Sequence, residues 1–471
     1  MLDAVPTPPL DSPDTTGTAG FHVPLEQRRA TGHAARKIVP RRALGAWSPA
    51  AADRDPVAVL EGQATSRVAE LIPIRHGRMA ASPFAFFRGG AAIMAADLAT
   101  SPTTGIVVQA CGDAHVDNFG KFATPERNVV FDINDFDETV PGPWEWDVKR
   151  LCTSLHIVAE ARGYTPVAAH ALVATAARAY RTRVAAFAAM RTLDLWYDHI
   201  HIDDVIAHFP PASRLAMERS LRKAERKGHV RAVAKLTRDV DGHVSFLEDP
   251  PLLVHLTRTG ADMDDVAPMI EHYRATLSDE RRELFDRFHV VDVARKVVGV
   301  GSVGTRCWVV LLEGPDHIDG DRLVLQVKEA QPSVLEAHVG VSHLGHHGRR
   351  VVVGQRLTQA ASDLFLGWTE AAGGDRQYYV RQLWDVKGQG DVLAMGTTTL
   401  TYYGALCAWA LARAHARTGD AAQMTAYLGR SSRFDDAIAR FSAAYAVTNA
   451  RDHRLFLDAI ASRRILATPG I

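Results

Sequence analysis

Residues Val107 to Leu151 read VVQACGDAHVDNFGKFATPERNVVFDINDFDETVPGPWEWDVKRL, and the rest of the chain is interpreted around them. Two apolar runs, residues 105–110 and 128–133, are rich in β-branched side chains between turn formers, which predicts two short strands. Asp113, Asp117, Asp132, Asp135 and Asp137 then fall at strand ends and in loops. Phe119, Phe131 and Phe136 are interleaved with them, an arrangement that argues against simple solvation. A hard divalent cation is the natural partner of carboxylates gathered in this way.

Phosphoryl transfer needs one carboxylate to orient or deprotonate the nucleophile, and an amide with a carboxylate to hold Mg²⁺ against nucleotide phosphates. Asp113 and Asn118, spaced D-x-x-x-x-N, leave one tight loop together, with His115 between them. Asp135 arrives on the next hairpin arm, with Asp132 as the alternative metal ligand. Two other readings compete. A metal-dependent hydrolase would use His115 with Asp113, Asp117 and Asp132, although no second histidine stands at a ligand spacing. In a purely structural role the aspartates would cap turns and pair with Lys149 and Arg150. Trp144 opens a helix through Leu155, in which Asp147 is either a first-turn carboxylate at the helix dipole or a buried orienter of the loop.

Composition excludes several classes. Lys plus Arg and Asp plus Glu are 54 each, so no net field recommends nucleic acid or an anionic membrane. No uncharged apolar run reaches membrane-spanning length, and the N-terminus lacks a secretory pattern. Cys111, Cys152, Cys307 and Cys407 are scattered without C-x-x-C spacing, which fits a reducing cytoplasm and neither a disulfide framework nor a zinc site. With 47% hydrophobic residues the chain can bury a large core.

Along the chain, residues 1–24 have the Pro, Thr, Asp and Gly composition of a disordered leader. Residues 25–104 form an N-terminal helical segment, and Arg75, Arg78 and Arg88 punctuate it. The last of these has an aromatic run beside it and is most simply a surface or stacking contact. Residues 105–290 hold the acidic loop and a helical lobe, including a basic run from Ser213 to Arg238 that reads as a solvated helix face. Residues 291–390 form a sheet lobe, and residues 391–471 supply helices that complete the helical lobe.

The sheet lobe carries the second informative stretch. Gly299, Gly301 and Gly304 spell G-x-G-x-x-G, with Ser302 and Val303 inside the loop. A dinucleotide-binding turn must open a helix, but Cys307 to Leu312 reads as a strand, answered after a turn by another, Leu323 to Val327. A glycine-rich hairpin covering phosphates is therefore expected. Lys328 ends the second strand where a phosphate-pairing lysine would stand, and Glu336 follows as its ion-pair partner. Residues 350–357 and 377–383 read as two further strands, giving about five antiparallel strands with one inserted helix. Gln382 and Leu383 lie where backbone could meet an adenine edge.

GDAHVDN, NDFDE, the glycine-rich hairpin and Lys328 together resemble the protein-kinase-like superfamily, especially aminoglycoside and choline phosphotransferases and maltokinases. Cys111 replaces the histidine that usually precedes Gly-Asp in that loop. Lys328 follows Asp113 here, whereas linear kinases place the lysine first, so the chain resembles a circular permutation. The helix ending Leu411-Ala412-Arg413-Ala414-His415-Ala416 resembles the one that directly precedes the catalytic loop in those enzymes. From about Arg28 onward, RMAASPFAFFRG, PGPWEWDVKRL and GQRLTQAASDLFLGW also resemble the bacterial domain-of-unknown-function family 2252.

These resemblances imply an α+β, two-lobe, kinase-like fold with a small antiparallel sheet lobe over a large helical lobe. The function expected is an ATP- and Mg²⁺-dependent phosphotransferase on an unidentified small-molecule acceptor. Asp113 is then base or positioner, Asn118 and Asp135 hold metal, and Lys328 holds phosphate. Nucleotidyl transfer to a protein and a nucleotide-binding pseudokinase are the alternatives on the same fold. Two architectural expectations follow: Lys328 must meet Asp135, and the end of the Leu411 to Arg417 helix must approach the strand before Asp113.

Overall fold

The computed structural model describes residues 22–48, 54–208, 214–215, 218–219, 229–240, 243–259, 263–297, 299, 301, 303–315, 320–383 and 390–470. Nearly all of the leader, Ser302 and residues 213, 216–217 and 220–228 of the basic run lie outside the described residues. The chain is a mixed α+β structure. No helix among the described residues is long and apolar enough to cross a membrane.

The strands, in chain order, are β1 (Val107–Ala110), β2 (Phe119–Ala123), β3 (Val129–Ile133), β4 (Val140–Pro143), β5 (Thr237–Val240), β6 (His243–Phe246), β7 (Leu253–His255), β8 (His289–Lys296), β9 (Cys307–Glu313), β10 (Arg322–Ala330), β11 (Gly367–Glu370) and β12 (Gln377–Gln382). Six form one antiparallel sheet in the order β11-β12-β10-β9-β8-β7. Its central strands are apolar at successive positions because both faces are covered. Val310, Leu312 and Leu325 face Tyr273, Leu277 and Phe285. Val309, Leu311 and Val324 face Val233, Leu236 and Phe246.

The helical body is built on the helices Trp144–Ala161, Pro166–Phe187, Thr397–Thr418 and Arg433–Ala461. Trp144 is fully buried and stacks on Tyr180 at 5.7 Å between centroids. Such an aromatic stabilises by about 1.5–3 kcal/mol through area alone. The short pairs β2/β3 and β1/β4 are embedded in the same core.

Three expectations about elements need correction. Residues 350–357 are not a strand but lie in the helix His347–Thr358. The run Val351-Val352-Val353 favours a strand by propensity, yet the buried positions Gly348, Val351, Val352, Gln355 and Thr358 follow a helical period, and packing against the sheet decides. Gly348 is pressed on the carbonyl of Tyr378, where a Cβ would lie 2.0 Å from the oxygen. The main sheet has six strands where about five were expected, because the segment expected to be mainly helical before residue 290 contributes β7 and the start of β8, and β11 stands where the 350–357 strand does not. Lys328 lies inside β10, not at its end.

The helix Thr397–Thr418 ends against β1. Gln109 N–H donates to Thr418 Oγ1 at 3.1 Å, and a Cβ on Gly419 would lie 2.6 Å from Val108 Cγ1. No spacer residue fits between the helix end and the strand at this point.

Candidate active site

The acidic loop is shaped first by its backbone. Gly112 has φ +82°, and a Cβ there would lie 2.4 Å from the carbonyl oxygen of Glu138, so only glycine makes this turn. Asp147, in the first turn of its helix, accepts from Cys111 N–H at 2.6 Å and Gly112 N–H at 2.9 Å. Its Oδ2 is also 3.1 Å from His415 Nε2, and His415 Nδ1 is 2.7 Å from the Tyr180 hydroxyl. The His415 ring thus bridges the Asp147 carboxylate and the Tyr180 hydroxyl in one buried chain.

Beyond the turn, Arg150 Nε donates to Asp113 Oδ1 at 2.7 Å, while the guanidinium lies over the Phe87 ring. His115 Nε2 is 3.8 Å from Asp113 Oδ2. Burial raises the Asp113 pKa despite Arg150. Burial, with Arg150 and Arg88, pushes His115 well below the usual histidine value, so its imidazole is neutral at physiological pH. Asn118 Nδ2 donates to the Asp113 carbonyl at 2.7 Å, which leaves Oδ1 as the accepting end of the amide. The Asn118 carbonyl in turn accepts from Asn134 N–H at 2.8 Å, tying the loop to the end of β3.

The second group of carboxylates meets the six-stranded sheet. Lys328 Nζ donates to Asp137 and stands 4.0 Å from Asp135 Oδ2. The Tyr379 hydroxyl donates to Asp137 Oδ1 at 2.7 Å, from the residue paired with Lys328 across β10 and β12. Burial and the neighbouring Asp137 charge raise the Asp135 pKa. Burial also pushes Asp137 upward, but Lys328 and Tyr379 outweigh it and hold its carboxyl below the ordinary range. Lys328 itself is desolvated, yet the two carboxylates raise its pKa, so it stays charged.

These groups line one cleft of about 520 Å³. Asp113, His115, Asn118, Asn134, Asp135, Asp137 and Glu138 come from the acidic loop and hairpin. Gly299, Gly301, Lys328, Gln382 and Leu383 come from the six-stranded sheet and its connections. Gly299, Gly301 and Gly304 join β8 to β9; Gly304 has φ +90°, and its carbonyl accepts from Val68 N–H at 2.8 Å. Val303 is buried, and its carbonyl accepts from Arg67 Nη1. Arg67, Arg75, Arg78 and Arg88 add a basic wall from the N-terminal helices.

Two proposed site residues lie elsewhere. Asp132 is fully buried and bonds to Arg413 and to the N–H groups of Ala360 and Ile133, so its oxygens serve the core and not a metal. Glu336 does not pair with Lys328; its Oε1 is 3.6 Å from Arg350 Nε. Asp137 and Asp135 take the position at the lysine that sequence spacing had given to Glu336. Gln382 and Leu383 reach the cleft, but their N–H groups donate to Asp363 and Val324, so these two donors are already used. The ion pair of Asp113 with Arg150, raised only as part of a structural role, coexists with exposure of Asp113 to the cleft.

Asp137 as lysine partner, Tyr379 as a second donor to Asp137, and Glu138, Arg381 and Arg75 as lining residues, were not foreseen. NDFDE held Asp137 and Glu138 in plain view, whereas Tyr379 and Arg75 carry no local motif. Among the described residues no group of three or more His, Cys, Asp or Glu side chains forms a ready metal cage. The donors at the cleft do suit Mg²⁺, an ion that takes one or two protein oxygens and completes its shell with phosphate and water. Asp135 supplies a carboxylate, Asn118 an amide oxygen, and Asn134 Oδ1 is buried without a hydrogen-bond partner among the described residues.

In comparison with known proteins, the sequence signature of a family described as "Uncharacterized protein conserved in bacteria (DUF2252)" covers residues 67–459. No curated protein and no solved structure matches the chain.

Proposed function

The chain belongs to the bacterial DUF2252 family, and we propose from its site that it is an ATP- and Mg²⁺-dependent phosphotransferase acting on a small-molecule acceptor. The observation that carries this reading is the approach of Lys328 to Asp135, 4.0 Å apart, beneath a glycine-rich connection and beside Asp113 and Asn118. Phosphoryl transfer needs little more from a protein than such positioning and charge.

In this mechanism the acceptor hydroxyl oxygen attacks the γ-phosphorus, and the bond from phosphorus to the β,γ-bridging oxygen breaks. ADP leaves with that electron pair. Asp113 orients the hydroxyl and takes its proton, a task to which its upward-shifted pKa is suited. Asn118 and Asp135 hold the metal, which when bound neutralises phosphate charge. Lys328, fixed by Asp137 and Tyr379, directs its charge at the phosphates.

The fold reading that accompanies this is a kinase-like, circularly permuted, two-lobe arrangement. Its support is the order of parts: a glycine-rich connection between β8 and β9, a lysine on β10, a helix at residues 347–358, two strands, then a helix whose end abuts β1. In an unpermuted kinase that last junction would be a covalent loop.

The test is product analysis with ATP labelled separately in the γ-phosphate and in the adenine, in the presence of Mg²⁺ and pools of hydroxylated metabolites. Transfer of the γ-label supports the proposal. Transfer of the adenine label points to nucleotidyl transfer, and binding without turnover to a pseudokinase.

A further inference from the structure

We propose that Arg75, with Arg67 beside it, is an oxyanion site that receives a phosphate group of the bound ligands. The proposal rests on the phosphotransferase reading of the same cleft and adds a residue that reading does not use.

Arg75 is 1% exposed, on the helix Ile72–Ala80. Only its Nη2 is used, donating to the Gly89 carbonyl at 3.0 Å and to Gln63 Oε1 at 3.3 Å. Its Nε and Nη1 are buried without a hydrogen-bond partner, as is Arg67 Nε. No carboxylate among the described residues lies within ion-pair distance of it. Among the buried arginines, Arg413 is matched with Asp132, Arg181 with Asp435, Arg150 with Asp113 and Arg350 with Glu336, while Arg417 lies over the Trp196 ring and donates to the Gln359 carbonyl. A buried, unpaired guanidinium is costly, and proteins keep such groups where something else supplies the charge.

The surroundings say what that is. Arg75 and Arg67 line the cleft that holds Asp113, and Arg67 also grips the carbonyl of Val303 in the glycine-rich connection. The helix is held rigidly from behind: Thr468 N–H donates to Pro73 O at 2.7 Å, and His76 Nδ1 is 2.7 Å from Leu466 O. A guanidinium whose Nε and Nη1 donors are unused, fixed in a polar cleft, can give single charge-assisted N–H···O bonds to a phosphate oxyanion. Burial already drives the Arg75 guanidinium well below its usual value, and Arg67 adds to this, so an arriving anion relieves both.

The test uses the full chain without nucleotide. Thermal unfolding is followed while inorganic phosphate or pyrophosphate is titrated against chloride at matched ionic strength, for the native protein, Arg75→Met, Arg75→Lys and Arg67→Gln. Stabilisation by phosphate in the native protein, abolished in Arg75→Met and at least about tenfold weaker in Arg75→Lys, is the expected result. A native protein indifferent to both anions, or an Arg75→Met protein that keeps the full response, overturns the proposal. Should Arg75→Met fail to fold, Arg75→Lys and Arg67→Gln decide by the same criterion. Affinity for a non-hydrolysable ATP analogue with Mg²⁺ then names the source of the phosphate. A parallel loss in the variants assigns it to the nucleotide, and unchanged affinity assigns it to a phosphorylated acceptor. Because the anion titration contains no ATP, it reads the site even if the phosphotransferase reading fails.

Discussion

His415 Nε2 lies 3.1 Å from Asp147 Oδ2, and the same oxygen lies 2.6 Å from the Cys111 N–H that starts the acidic loop. The helix Thr397–Thr418 thus reaches the loop through one carboxylate. Replacing Asp147 with Ala leaves the buried Cys111 N–H and the partly buried Gly112 N–H without acceptors and should lower stability by about 2–4 kcal/mol, read from the urea midpoint. A change within about 0.5 kcal/mol would show that water replaces the carboxylate and that the loop is not held from this side.

Asp113→Asn should preserve nucleotide affinity and reduce kcat about 10²- to 10⁴-fold, because a proton acceptor acts chiefly in the transition state. The measurement is steady-state kinetics on the acceptor found by label transfer, with analogue binding as the control. Unchanged kcat would remove Asp113 from the chemistry.

Asp132 and Asp135 are only a few residues apart and should separate cleanly. Asp132→Ala strips the partner from a fully buried Arg413 and should cost about 3–5 kcal/mol whether or not Mg²⁺ is present. Asp135→Asn should leave the unfolding midpoint almost unchanged and weaken Mg²⁺-dependent nucleotide binding about tenfold or more. The reverse pattern in a paired titration would exchange their roles.

Lys328→Met tests the lobe contact through pH. Lys328 holds the Asp137 pKa below its unfolded value, so this contribution to stability is present above about pH 4 and is lost as pH falls through the folded value. The native protein should exceed the variant most near neutrality, by about 3–5 kcal/mol, and the gap should close on acidification. Unfolding curves across that range that stay parallel would contradict it.

Glu138 carries the opposite sign. Burial pushes its carboxyl up to about 7, so the unfolded chain releases this proton first and stability falls as pH rises from about 4.5 to about 7. Glu138→Gln keeps an acceptor for Val334 N–H, which now donates to Glu138 Oε2 at 2.7 Å, and cannot ionise. The variant should match the native protein near about pH 4 and exceed it near about pH 8 by about 1–2 kcal/mol, less than full linkage because the side chain is only half-buried. Equal stability at the higher pH would mean that Glu138 titrates normally.

Much of the cleft could be read from sequence because its donors sit in two short runs, GDAHVDN and NDFDE, whose spacing alone brings them to one hairpin. The glycine connection and Lys328 were readable for the same reason, through strands on either side. What could not be read depends on tertiary choice. Asp132 and Asp135 are alike in sequence, and only the arrival of Arg413 takes one into the core. Glu336 loses Lys328 because Asp137 reaches it first and Arg350 waits for Glu336 instead. The valines of residues 351–353 favour a strand until a helical face is pressed on Tyr378. Arg75 gives no signal in a single sequence, since an unpaired arginine is recognised only by the absence of an acid around it.

The order of the chain also sets a timetable during synthesis. Asp113 meets Arg150 almost as soon as both leave the ribosome, because only 37 residues separate them. Asp137 must wait for Lys328, 191 residues later, which at about 5–20 residues per second is on the order of 10–40 s. Through that interval the acidic hairpin can complete its own short sheet but not its charge balance, and its carboxylates stay hydrated. The cleft therefore closes late, after the six-stranded sheet has been made, and a nascent chain stalled before Lys328 carries an open acidic notch in place of the closed cleft.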